Sequence, residues 1–146
     1  ILPMIHFNFS STCSAGQLNR WMKNDIVEVF EACIDGTLDQ IELEFEDNAA
    51  VCVVLASGGY PEHYEKGFEI EGLDEFKGKD GYYVFHAGTN FGADGKIVTN
   101  GGRVLGVTAT GENLKVARAN AYEAVKWVEF GGMYMRNDIG KAIDEA

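Results

Sequence analysis

Two short stretches carry the side chains best suited to chemistry. In Phe85-His86-Ala87-Gly88-Thr89 a histidine falls where an apolar run ends, next to a glycine and a hydroxyl. An imidazole placed there can donate to a substrate oxygen. A histidine bonded to a nearby carbonyl is the commoner outcome at a strand end. In Thr99-Asn100-Gly101-Gly102-Arg103 two glycines let the backbone approach a ligand, and the arginine offers a planar fork to carboxylate or phosphate. A bulge whose arginine pairs with one of the many carboxylates fits the same residues, so both readings stand. Tyr60 to Gly67 mixes aromatic, acidic and basic groups and reads as a docking loop. Glu42, Glu44 and Glu46 would share one face of a strand, an arrangement that can ligate a metal but is more simply a solvated face. Met133-Tyr134-Met135-Arg136 reads by default as core packing at an apolar strand end, with an arginine able to reach an anion as the functional alternative.

These residues need elements to position them. Ile26, Val29, Phe30, Cys33 and Ile34 recur at helical spacing, predicting a helix with one apolar stripe against a core, capped by Asn24 or Asp25 and ended by Gly36. Ile41, Leu43 and Phe45 alternate with glutamates, the period of a strand with one wet face. Ala50 to Leu55 is continuously apolar, as in a strand buried on both sides, and Gly58-Gly59-Tyr60-Pro61 breaks it. Tyr82 to Phe85 and Lys96 to Val98 flank Asp94-Gly95, a tight-turn signal, and Asp80-Gly81 repeats it. A strand from Arg103 to Thr108 follows, then a helix with Leu114, Ala117, Ala121, Ala124, Val125 and Val128 on one face, its alanines small enough for close packing on a sheet. A last short helix is expected to begin near Asn137 or Asp138. This order predicts an α+β domain whose helices pack on a mainly antiparallel sheet.

Composition narrows the function. The chain has 146 residues, is 46% hydrophobic and carries a formal net charge of −11. Its length suits one domain with a short attachment. The negative field argues against binding nucleic acid or anionic membrane. Cys13, Cys33 and Cys52 show neither paired nor zinc-ligand spacing and are expected to be buried, reduced thiols of a cytoplasmic protein. No secretory h-region or membrane-length apolar run is present, so the triplet Asn8-Phe9-Ser10 reads as chance. Walker A, GxGxxG, HExxH and GxSxG patterns are absent. A first residue that is isoleucine suggests a chain that begins inside a longer reading frame or has lost its start.

Five blocks in order carry a family resemblance: Val51 to Pro61, Tyr64 to Gly67, Val84 to Thr89, Thr99 to Ala109 and Gly132 to Gly140. From about Lys23 onward the chain resembles the carboxy-terminal part of the phosphoribosylamine-glycine ligases, the glycinamide ribonucleotide synthetases of the ATP-grasp class. Residues 5–21 have no counterpart in that family. The resemblance implies three parts: an atypical segment 1–22, the closing helix and strand of an ATP-grasp domain at 23–46, and a carboxy-terminal ligase domain at 47–146 of half barrel-sandwich-hybrid type.

It also implies the chemistry. ATP phosphorylates the carboxylate of glycine, and the amine of phosphoribosylamine attacks the acyl phosphate to give the amide, ADP and phosphate. Magnesium or manganese would bridge the phosphates. The metal ligands, the ATP clamp and the amino-terminal substrate domain would lie upstream of Ile1. This chain is therefore expected to hold no catalytic residue, ATP or metal, and to be inactive alone. Its partners would be those missing domains and small-molecule substrates, with no nucleic acid and no membrane. Its substrate-facing candidates are His86, Gly88, Thr89, Gly101, Gly102 and Arg103. The alternative is a non-catalytic barrel-sandwich carrier, which needs a modifiable lysine at a hairpin tip; Lys96 follows Asp94-Gly95 but lacks the flanking residues of a biotinyl or lipoyl site.

Overall fold

The computed structural model describes residues 22–141. The triplet Asn8-Phe9-Ser10, Cys13 and the family-divergent segment 5–21 lie outside the described residues. Helix α1 spans Ile26–Asp35 and helix α2 Leu114–Val125; the strands are β1 Ala49–Ser57, β2 Tyr82–His86, β3 Thr89–Phe91, β4 Ile97–Thr99, β5 Arg103–Gly111 and β6 Met133–Tyr134. The expected α+β architecture holds: an antiparallel sheet ordered β2-β5-β1-β6, a separate β3-β4 ladder, and one helix packed on the main sheet.

The core lies between α2 and the inner face of β1 and β5. Val53 pairs with Val107 and Leu55 with Leu105, and all four are fully buried. Ala117, Ala121 and Ala124 on α2 are buried against them, and their small side chains let the helix lie close to the sheet. Asn113 caps α2, its Oδ1 accepting from Val116 N at 3.0 Å.

Several expectations need correction. The strand at β1 is not buried on both sides: Val51, Val53 and Leu55 are buried, but Cys52 and Val54 on the outer face are half-buried, because α2 covers only one face. The Asp94-Gly95 turn joins β3 to β4 rather than Tyr82–Phe85 to Lys96–Val98. Strand β2 pairs with β5 instead, and β5 also pairs with β1 along its length, with an irregularity at Val104. Among the described residues the Ile41 to Glu46 alternation forms no ladder. Met22 bridges Phe45, and the Asn24 amide acts as a strand edge, donating through Nδ2 to Glu42 O at 2.9 Å and accepting at Oδ1 from Glu44 N at 2.7 Å.

Helix α1 forms as its caps require, with Asp25 Oδ1 accepting from Val27 N and Gly36 left-handed at φ 70°. Its apolar stripe is only half used. Val29 and Ala32 are buried, whereas Phe30, Cys33 and Ile34 are exposed, Ile34 at 82%. Periodicity places residues on one face but does not supply a partner for it. Cys33 is thus exposed and Cys52 half-buried rather than both buried. Of the expected last helix, one turn is described, Lys141 N donating to Asp138 O; the rest lies outside the described residues. No helix among the described residues is long and apolar enough to cross a membrane.

Candidate functional site

The β3-β4 hairpin brings the two chemistry-bearing stretches together. Its first pair is Thr89 with Thr99, so the residues just outside the ladder must meet. Asn100 N donates to Gly88 O at 2.8 Å, and Ala87 N and Gly88 N both donate to Val104 O. Gly88 and Gly101 pack backbone against backbone: a Cβ on Gly88 would lie 2.5 Å from Arg103 O and 2.7 Å from Gly101 Cα. Glycine is required here by proximity.

The turn is then pinned to the end of β1. Ser57 Oγ donates to Gly101 O at 2.9 Å, and Ser57 N donates to Gly102 O at 2.8 Å. The Tyr60 ring covers Gly102, where a Cβ would fall 2.0 Å from Tyr60 Cδ2, and Tyr64 meets Tyr60 edge-on at 6.0 Å. Thr99, buried, accepts from Phe68 N at Oγ1 and donates its own N–H to Phe68 O. Ser57 and Tyr60 are the supports that sequence reasoning missed, while Thr99 stood in the stretch it singled out. The available signals were a hydroxyl ending an apolar strand before Gly58-Gly59, and an aromatic following it, read only as part of a docking loop.

The side chains diverge where the backbones converge. His86 Nδ1 lies 3.0 Å from Thr89 Oγ1, and both line a groove of about 340 Å3 with Asn90, Phe91 and Ile97. His86 thus bonds a hydroxyl, not a carbonyl. Arg103 lines a different cavity, of about 250 Å3, formed over the outer face of β1. His86 and Arg103 are exposed, Gly88, Thr89 and Gly101 half-buried, and Gly102 buried beneath Tyr60. The assembly is a rigid backbone junction at the surface, able to present an imidazole–hydroxyl pair on one side and a guanidinium on the other.

Among the described residues there is no group of three or more His, Cys, Asp or Glu that could hold a metal ion. Glu42, Glu44 and Glu46 are exposed. At the hairpin tip, Lys96 Nζ lies 2.7 Å from Glu69 Oε1, and the hydrogen bond and charge of Glu69 raise the lysine above its ordinary pKa. Arg136 pairs with Asp138 through Nε at 2.9 Å and Nη2 at 2.7 Å; the arginine's hydrogen bond holds the Asp138 carboxyl below its ordinary range.

Comparison with known proteins adds an independent line. Residues 50–142 match the family model described as phosphoribosylglycinamide synthetase, C domain. The chain is similar to the phosphoribosylamine–glycine ligase of Caldanaerobacter subterraneus, 51% identical over 118 residues, covering 81% of this chain and 27% of that protein. It is 42% identical over 120 residues to the bifunctional purine biosynthetic protein of Dictyostelium discoideum, covering 82% of this chain and 15% of that one. A crystal structure of phosphoribosylamine–glycine ligase from Thermotoga maritima is similar at a TM-score of 0.56 and 39% identity, covering 77% of this chain and 27% of that chain. This chain thus spans about a quarter of the length of the ligases it matches.

Proposed function

The chain belongs to the phosphoribosylglycinamide synthetase C-domain family, and from that premise we propose that it is the closing domain of an ATP-dependent phosphoribosylamine–glycine ligase acting in purine biosynthesis. The observation that carries the reading is the Gly88–Gly101 contact, which locks two polar loops into one surface feature. In this reading the His86–Thr89 loop and the Gly101-Gly102-Arg103 turn face a cleft completed by domains absent from the chain, in a cytoplasmic enzyme. Those domains hold ATP and its magnesium or manganese, which neutralises the transferring phosphate. What this chain supplies is positioning: an imidazole held against Thr89 on one side of the junction and a guanidinium on the other, offered to glycine and phosphoribosylamine. The half barrel-sandwich form, and residues 23–46 as the tail of an ATP-grasp domain, belong to the same reading. The exposed Phe30 and Ile34 of α1 support it, since they leave a face for a neighbouring domain. The carrier alternative is not favoured, because the hairpin lysine is engaged by Glu69.

The test grafts residues 23–146 in place of the matching segment of the Caldanaerobacter ligase. The chimera is expected to form the amide with phosphoribosylamine generated in situ, and the unfused chain to release no phosphate from ATP. Arg103→Ala and His86→Ala in the chimera should each lower kcat/KM at least about tenfold, the scale of one lost polar contact in the transition state. Phosphate release by the unfused chain, or a stably folded but inert chimera, would overturn the reading.

A further inference from the structure

The cavity holding Arg103 has an architecture that the closing-domain reading does not use. Its floor is the outer face of β1, Cys52, Val54 and Ala56, and its walls include Tyr60, Tyr134 and Arg136. An apolar floor between two aromatic residues accepts a flat ring, and guanidinium groups accept an anion in a planar fork and stack on rings. In a chain of net charge −11, two arginines line this one cavity, Arg136 being paired with Asp138 through Nε and Nη2 and keeping its Nη1 donors outside that pair.

The wall is also fixed in advance. Tyr122 OH donates to Arg136 O at 2.8 Å and accepts from Ile139 N at 3.1 Å, while Arg118 Nε donates to Ile139 O at 2.7 Å. Strand β6 and the segment after it are thereby tied to α2, around the edge of the sheet. Asp138 grips the Arg136 guanidinium in two hydrogen bonds, so the side chain is held and little order has to be imposed on binding. A volume of about 250 Å3 lies below the roughly 300–1,000 Å3 of drug-sized sites, which restricts the buried part to one ring system.

We propose that this cavity is a binding site for a planar heteroaromatic group bearing a single carboxylate or phosphate. The ring lies over Cys52 and Val54 between Tyr60 and Tyr134, and the anion faces Arg103 and Arg136. The site shares Arg103 with the turn described above, yet every lining residue is in this chain, so it stands whether or not the turn faces a catalytic cleft.

The experiment is calorimetric titration of the whole chain with four probes. Adenylate and indole carboxylate carry a ring and an anion, adenosine only the ring, and acetate only the anion. At least one of the first two is expected to bind about tenfold or more tighter than either partial probe, and which of them does so distinguishes phosphate from carboxylate. Arg136→Gln should erase that advantage, and Tyr134→Ala should weaken every ring-bearing probe; both side chains are exposed, and circular dichroism verifies the fold. On the unaltered chain, the tighter probe should slow alkylation of Cys52 several-fold, read by peptide mass, without protecting the exposed Cys33. Equal affinity of all four probes, or alkylation of Cys52 at the same rate with and without adenylate and indole carboxylate, would sink the proposal.

Discussion

Gly88 shows how much a single position decides. A methyl group there meets only backbone, Arg103 O and Gly101 Cα, and backbone in a hydrogen-bonded junction has little room to give. Gly88→Ala is expected to lower the unfolding free energy by about 1–3 kcal/mol, as overpacking does, measured by urea denaturation. Thr108 is the opposite case. It is fully buried on the outer face, and its hydroxyl has no hydrogen-bond partner among the described residues. Thr108→Val keeps the shape and removes the stranded group, so it should raise stability by on the order of 1 kcal/mol. Asp138 supplies a pH readout. Its carboxyl is depressed by Arg136, so the pair's contribution is complete above the ordinary carboxylate pKa and is lost as pH falls through the lower folded value. Carbon-detected titration should place the Asp138 midpoint below that of an unfolded aspartate, and Arg136→Gln should return it to the ordinary range.

Among the elements, burial separates the two helices and the strand between them. Leu105 on β5 is fully buried under α2, and Leu105→Ala should destabilise the chain by about 2–5 kcal/mol. Phe30 on α1 has the right spacing for a core residue but is 54% exposed, so Phe30→Ala in this chain should change stability by no more than about 0.5 kcal/mol. The same substitution in the ligase chimera should cost clearly more, since the closing-domain reading places a neighbouring domain on that face. Equal effects in the two contexts, read by thermal melting, would remove the support that α1 lends to that reading. The strand expected at Ile41 to Glu46 fails for a related reason. Alternation prepares a segment for pairing, but among the described residues it meets a short edge at Met22 and Lys23 and the Asn24 side chain rather than a strand.

At the scale of the whole molecule, the sequence by itself determined the α+β class, the extent and caps of α1, the place of α2 though not its cap at Asn113 or its end at Val125, the start of strand β5 and the breaks at Gly58-Gly59 and Asp94-Gly95. These depend on local spacing, capping chemistry and glycine, all of which act within a few residues. It also marked His86–Thr89 and Gly101–Arg103 as the polar, glycine-bounded stretches worth following. Only the tertiary structure decided that the two touch. Their contact depends on the Thr89–Thr99 pairing, and that pairing was hidden because the strand from Thr89 to Phe91 is three residues long, too short for any period to show. The structure likewise decided that His86 and Arg103 line separate cavities, and that the outer face of β1 stays half open. Which face of a strand is covered depends on where one helix lands, and that is set by the summed burial of the entire chain rather than by any window of it.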